Sequence, residues 1–479
     1  MKLVYGVNDK PSWGKTVVFA LQQLLAIMAA TIAVPMIVGN GMTTSAALFG
    51  AGVGTLVYLL FTKFKSPVFL GSSFAFLGSM FAAFAGAVGM GAGVGFLGLI
   101  IGAALAGLLY VILALIVKFF GTSWINKLMP AVVIGPTVAI IGLSLAPNAV
   151  GDVFGGLSNI AKDSNGNVVM GAAEWVRMVV GLVTLLTTIC ASVFGKKMMK
   201  MIPFVIGIGA GYACAAIFTG IGYAADAEAL KIINFGLFTP EQTDWSKWYP
   251  EFTFLQAFTG DLSGFTGTYF LSLVVAYVPV AFVVFAEHIA DHKNLSTIIE
   301  QDLLDNPGLH RTLLGDGVGS AVGAFFGGCP NTTYGESVGC VAISGNASIR
   351  TILVTALMAV ALSFILPFSV LLSTIPSCVM GGVCIALYGF IAVSGLKMIQ
   401  PVDLGDNRNL FVVSTILICG VGGFALNIAT GETAPIILTE VACALVLGII
   451  VNILVHLTSK KGRESEEGII PEGDDTPNK

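Results

Sequence analysis

Phe285-Ala286-Glu287-His288-Ile289-Ala290-Asp291-His292 closes an apolar run that begins near residue 268 and is long enough to span a bilayer. Insertion scales put a charge in hydrocarbon at roughly 2.5–3.5 kcal/mol per residue, so carboxylates placed here require partners or a task. A second stretch, Asn331-Thr332-Thr333-Tyr334-Gly335-Glu336-Ser337, sets another carboxylate among small residues and leads into a further apolar segment. The commonest task for such groups is to meet a polar solute or an ion that crosses the membrane.

The rest of the chain agrees. Its 479 residues are 56% hydrophobic and only 10% charged, with a mean hydropathy of +0.91, whereas a soluble domain carries about 25% charged residues. Apolar runs near the roughly 20-residue spanning length recur throughout and are continuous rather than alternating. An all-α polytopic membrane protein is expected, not a β-barrel. The apolar segment after Lys15 is expected to remain in the mature protein, because it is long and further spans follow it. None of the eight cysteines forms a CxxC pair, so neither a disulfide framework nor a metal cluster is suggested, and small buried hydrophobes are expected instead. His288 and His292 lack the adjacent glutamate of the zinc-protease signature. No metal, no cofactor and no catalytic nucleophile–base pair stands out, so the chain does not read as an enzyme. A net charge of -4 without a basic tract argues against a nucleic-acid partner.

Fourteen hydrophobic segments are expected, at about 16–38, 45–62, 67–84, 92–117, 126–146, 172–194, 201–219, 268–292, 312–328, 332–347, 350–371, 375–396, 409–427 and 432–457. An even number puts both termini on one side. Assigning that side to the cytoplasm places Lys63, Lys65, Lys118, Lys127, Lys196, Lys197, Lys200, Lys293, Arg311, Arg350, Lys397 and Arg408 in inner loops. The outer face keeps only Lys162, Arg177, Lys231 and Lys247, as the positive-inside rule demands. The long polar loop 221–267 separates seven segments (1–220) from seven (268–457), and a polar cytoplasmic tail follows at 458–479. An odd number in each half reverses the second half's direction of entry, which makes an inverted repeat possible. Ser72-Ser73-Phe74-Ala75 echoes Thr332-Thr333-Tyr334-Gly335, and Pro130 with Gly135 echoes Pro376 with Gly381, each in corresponding segments.

Gly71, Ser72, Ser73 and Gly78 interrupt the third segment; Gly327, Gly328, Pro330 and Gly335 interrupt the tenth. Proline removes a backbone donor and pushes Cys329 toward an extended conformation. Short extended pieces feeding half-helices follow, with their edges paired inside the protein. The free N–H groups of opposed half-helices would suit a carbonyl or anionic edge of a solute. Glu287 and Glu336 could accept hydrogen bonds from ring N–H groups, a combination that fits the imide edge of a neutral heterocycle. Asp291, one turn beyond Glu287 on the same face, joins them as a proton-coupling candidate, since a carboxyl group at low dielectric can load and release a proton. The cluster from Asp302 to Arg311 with Asp316, and Asp403, Asp406 and Arg408, read as solvated or gate-facing connectors.

These motifs together resemble the nucleobase–cation symporter-2 family, also called nucleobase–ascorbate transporters, along nearly all of the chain. The residues that carry the likeness are Ala286-Glu287-His288-Ile289, Asp316-Gly317, Gly327 to Gly339 and Gly71 to Phe76. The resemblance implies fourteen spans in two inverted seven-span repeats. It implies a core domain at about 15–118 and 268–371, a gate domain at about 124–220 and 375–457, and short antiparallel strands in segments 3 and 10. It also implies uracil or a related nucleobase as substrate, bound by Glu287 and Glu336, by the backbone N–H groups of Phe74 and Gly335, and beside Tyr334. Proton-coupled uptake by alternating access across a bacterial inner membrane follows, with Glu287, Asp291 and Glu336 as the groups that could carry H+. Membrane lipid surrounds such a carrier, and a homodimer through the gate domain is a further implication. Three positions depart from uracil carriers: Asp291 stands where some have histidine, Gln23 replaces another histidine, and Ser337 replaces an asparagine. Ser344-Gly345 also lacks an arginine usual in that group. A xanthine or uric acid carrier remains the nearest alternative; an anion transporter and a non-concentrative channel are more distant ones.

Overall fold

A computed structural model describes residues 3–121, 124–125, 129–155, 169–196, 198–241, 243–246, 249–428 and 436–456. The tail expected at 458–479 lies outside the described residues. The first half contains α1 (Trp13–Val38), α2 (Thr44–Phe61), β1 (Leu70–Ser72), α3 (Leu77–Gly86), α4 (Val94–Phe120), α5 (Ala131–Ser144), α6 (Ala146–Val153), α7 (Ala172–Phe194) and α8 (Pro203–Ala224). A short helix, α9 (Thr253–Thr259), sits in the connecting loop. The second half continues with α10 (Gly267–Ile299), α11 (Leu309–Gly327), β2 (Asn331–Thr333), α12 (Gly335–Ser344), α13 (Ile349–Ser363), α14 (Leu366–Ser373) and α15 (Ser377–Ile399). It ends with α16 (Asn407–Val421), β3 (Leu426–Ile428), β4 (Ile436–Leu438) and α17 (Glu440–His456).

Among the described residues, eight helices are long and apolar enough to cross a membrane, and the pair α13–α14, bent by 82°, would make a ninth. The bend follows from Pro367 at the start of α14, which cannot extend a helix backward. The third and tenth segments are broken as their glycines and proline require. β1 pairs antiparallel with β2, Leu70 opposite Thr333 and Ser72 opposite Asn331. Ser73 N–H donates to the Pro330 carbonyl at 2.9 Å and extends the ladder. Thr55 Oγ1 of α2 closes an edge, accepting from Leu70 N–H at 2.9 Å, while its own proton faces the Ala51 carbonyl at 2.8 Å and the Leu70 carbonyl at 3.2 Å. Edge groups deep in the protein are therefore paired, as an apolar surround demands. A second pair, β3 with β4, interrupts the last two segments and has no counterpart in the sequence reading.

Two sets of helices pack mainly within themselves. In one, α1, α2, α10 and α11 contact the β1–β2 pair, with α4 and α13 packed outside them; in the other, α5, α6, α7, α15, α16 and α17 pack together. Small residues allow the close approaches. A Cβ at Gly54 of α2 would lie 2.7 Å from the Gly319 carbonyl of α11, so these backbones touch directly. In the second set, a Cβ at Gly395 would lie 2.6 Å from the Gly135 carbonyl. β4 and α17 of the second set rest against α10 of the first.

Candidate functional site

α10 is the element that positions the acids. Over 284–292 its Glu287, Ala290 and Asp291 are half-buried, while His288 and His292 are fully buried. Two faces result, about 100° apart, as one-residue steps on a helix must give. The half-buried face looks toward β2 and α12. Thr333, the last residue of β2, donates its hydroxyl to Asp291 Oδ2 at 2.8 Å. Asp291 Oδ1 lies 3.8 Å from where a Cβ on Gly335 would sit. Gly335 is exposed and Glu336 half-buried. Glu287, Asp291 and Glu336 are near enough to act on one another electrostatically.

α12 begins here. Its first backbone bond runs from Val338 N–H to Tyr334 O, at 3.1 Å, so the N–H groups of Gly335, Glu336 and Ser337 precede it. These donors and the positive end of the helix dipole point to the place where the three carboxylates gather. Tyr334 is buried, and its hydroxyl donates to Ser72 O at 2.8 Å, clamping the strand pair. Phe74 opens the short turn after β1 and packs edge-on to Tyr388 of α15, with centroids 5.7 Å apart. Phe74, Ala75 and Gly78 line a narrow cleft with Ile141, Ser144, Leu145, Thr439, Glu440 and Val441, where the two helix sets meet. Glu287, Asp291, Tyr334, Gly335 and Glu336 thus lie together where α10 meets the end of β2 and the start of α12, whereas Phe74 lines the cleft on the side of Tyr388 and Glu440.

Other findings were not legible in the sequence reading. Gln23 of α1 donates to Ser337 Oγ at 2.5 Å, and that oxygen also accepts from Phe69 N–H at 3.0 Å. Two of the positions that depart from uracil carriers are therefore in contact. Asp316, read as part of a solvated connector, is instead fully buried in α11 and pairs with His288 Nδ1 at 2.8 Å. The correction has a plain cause: α11 runs from Leu309, so Asp316 lies two turns inside the helix rather than in the loop before it. His292 donates from Nδ1 to the His288 carbonyl and meets Tyr58 with Nε2 at 2.7 Å. Asp316 within a Gly-rich apolar run was the signal available for this pairing. No group of three metal-ligating side chains occurs among the described residues. A larger cavity, about 400 Å³, lies elsewhere, lined by the loop residues Leu237, Tyr249 and Glu251 and by the ends of α2 and α13.

Comparison with known proteins gives a consistent picture. The profile described as "Permease family" matches residues 14–429. A uracil permease of Bacillus caldolyticus is 37% identical over 95% of this chain and 95% of its own length. That of Bacillus subtilis (strain 168) is 36% identical over 97% and 98%, and that of Escherichia coli (strain K12) is 32% identical over 95% and 94%. Among solved structures, the transmembrane domain of the cyanobacterium bicarbonate transporter BicA superposes with a TM-score of 0.60 at 15% identity, covering 95% of this chain and all of that one. The murine anion transporter Slc26a9 in its inward-facing state gives 0.60 at 12% identity, over 94% and 69%. At such low identity these two speak for the fold alone. With a family profile along most of its length and relatives above 30% identity across nearly all of both chains, this multi-pass membrane protein belongs to the nucleobase–cation symporter-2 permease family and is a transporter rather than an enzyme.

Proposed function

We propose that the chain takes up uracil together with a proton by alternating access, through fourteen crossings arranged as two inverted repeats with both termini in the cytoplasm of a bacterium. The observation that carries this reading is the convergence of Glu287, Asp291 and Glu336 on the open start of α12, beside the short antiparallel strand pair. Uracil presents two N–H donors and two carbonyl acceptors. Glu287 and Glu336 accept from the N–H groups, while the backbone N–H groups of Gly335 and Phe74 answer the carbonyls and Tyr334 backs the pocket. Fixed donors and acceptors replace the solute's water, so a polar ring enters without losing its hydrogen bonds.

The core, about 15–118 and 268–371, then moves relative to the gate, about 124–220 and 375–457, and the cleft at Phe74 and Glu440 lies on that boundary. The names of the relatives support uracil as the solute. The apolar exposed faces of α7 and α8 suit lipid or a second copy packed through the gate. The test is uptake of radiolabelled uracil into proteoliposomes, with and without an imposed pH gradient, and with xanthine as competitor. Gradient-dependent accumulation that uracil but not xanthine inhibits is expected. Accumulation blocked by xanthine instead would assign the same site to a fused-ring dione.

A further inference from the structure

Behind the substrate face of α10 lies a second polar unit that the substrate has no route to touch. His288 and Asp316 are both 0% exposed, as is Thr312. His288 Nδ1 is 2.8 Å from Asp316 Oδ2, and Nε2 is 3.0 Å from Thr312 Oγ1. Thr312 also lies 3.0 Å from the Leu309 carbonyl, to which its hydroxyl can donate. The geometry points to a proton site in this Asp316–His288–Thr312 unit, which holds the transported proton one layer away from the substrate. This inference rests on the proton-coupled reading above.

Hydrogen-bond accounting gives two complete arrangements on one set of heavy atoms. In the first, Thr312 donates to Nε2, and Nδ1–H donates to the Asp316 carboxylate; imidazole is neutral and the unit carries one negative charge. In the second, one more proton sits on Nε2 and is donated to Thr312 Oγ1, whose own hydroxyl has turned to the Leu309 carbonyl. The Nδ1 proton is then shared with Oδ2, and the unit is neutral. Loading therefore forms one N–H bond, releasing breaks it, and no buried nitrogen loses its partner in either state. Thr312 is the positioning residue that permits the change, because its hydroxyl can face either way.

The unit is also coupled to the site. Asp316 Oδ1 faces Thr332 of β2, with no hydrogen bond of normal length between them. Thr333, next in that strand, holds Asp291, and α12 with Glu336 follows. Glu287 is the chain neighbour of His288. The other ionisable groups around the pair are Tyr110 from α4, Tyr58 from α2, and Glu287, Asp291 and His292 from α10, with Glu336 beyond. His292 does not extend the unit toward the cytoplasm. Its Nδ1 donates to the His288 backbone carbonyl, which carries no transferable proton. The carboxyl groups nearest the unit lie on the side of β2 and Glu287.

Asp316→Asn keeps the size of the side chain, and its amide can still donate to Nδ1, but the unit can no longer accept a proton and stay neutral. Purified full-length protein in liposomes, with a pH gradient imposed, is the assay, and binding of uracil by calorimetry is the second readout. Asp316→Asn should bind uracil and equilibrate it until inside and outside concentrations match, with the gradient-driven excess lost. Thr312→Val should lose the same excess, and Thr312→Ser should restore it, which keeps the question answerable if Asp316→Asn fails to fold. Accumulation at the wild-type level in Asp316→Asn or Thr312→Val would overturn the assignment. So would loss of binding together with accumulation, or failure of Thr312→Ser to rescue. If the wild-type protein itself ignores the gradient, the coupled reading falls and the proton site falls with it.

Discussion

Replacing Glu336 with glutamine isolates the charge of one carboxylate while leaving its size nearly unchanged. Glu336 lies in the first turn of α12, half-buried, within electrostatic reach of Glu287. If it accepts a ring N–H, the lost charge weakens a hydrogen bond of about 1.5–3 kcal/mol, which corresponds to an affinity lower by about 13- to 160-fold. Two opposing effects act on the empty protein. One negative charge fewer relieves repulsion on Glu287, whereas the helix start loses roughly 0.3–1 kcal/mol of favourable interaction with its dipole. The stability of the unliganded protein should therefore shift by no more than about 1 kcal/mol, while binding falls steeply. Calorimetric titration with uracil and thermal unfolding of the unliganded protein, measured on the same preparation, separate the two. Unchanged uracil affinity would remove Glu336 from the site, and a parallel collapse of stability and affinity would assign it a structural task.

Further outcomes follow from the same geometry. Glu287→Ala removes the other acceptor outright and should abolish calorimetric uracil binding while the protein remains monodisperse in detergent; retained affinity contradicts its role. Thr333→Val deletes the hydroxyl that donates to Asp291 Oδ2 and should cost about 1–3 kcal/mol of stability, read as a lower Tm, because a half-buried carboxylate oxygen is left without its donor. Gly54→Ala drives a methyl group toward Asn331 and the Gly319 carbonyl and should destabilise by about 1–3 kcal/mol. Gly14→Ala, with nothing within 4 Å of the added carbon, is the matched control and should not lower the Tm, since alanine in an open helical position stabilises by up to about 1 kcal/mol.

Sequence patterning reached the site further than it reached the scaffold. Glu287, Asp291 and Glu336 were visible because charge inside an apolar run is conspicuous, and the break at Gly327 to Gly335 because glycine and proline coincide there. The partner of each broken segment was legible only through the resemblance, since β1 and β2 are far apart in the chain and too short to show a strand pattern. The segment read as 350–371 hides a sharp bend because hydropathy averages across Ile365 and Leu366, although Pro367 marked the place. Asp316 was misplaced for a related reason. Its charge pointed to water, and only the helix packing that brings His288 against α11 reveals a buried partner. Contacts such as Gln23 with Ser337 join residues separated by most of the chain, and composition carries no trace of them.

The β1–β2 pair also has a consequence for biosynthesis. Its second strand is made roughly 260 residues after the first, which at about 5–20 residues per second is a wait of roughly ten to fifty seconds. Until then the amide edge of Leu70 to Ser72 lacks its ladder partner, and hydrocarbon offers no substitute. The nascent third segment must therefore linger in the translocation machinery, at the lipid surface or against α2, and settle only when the tenth arrives.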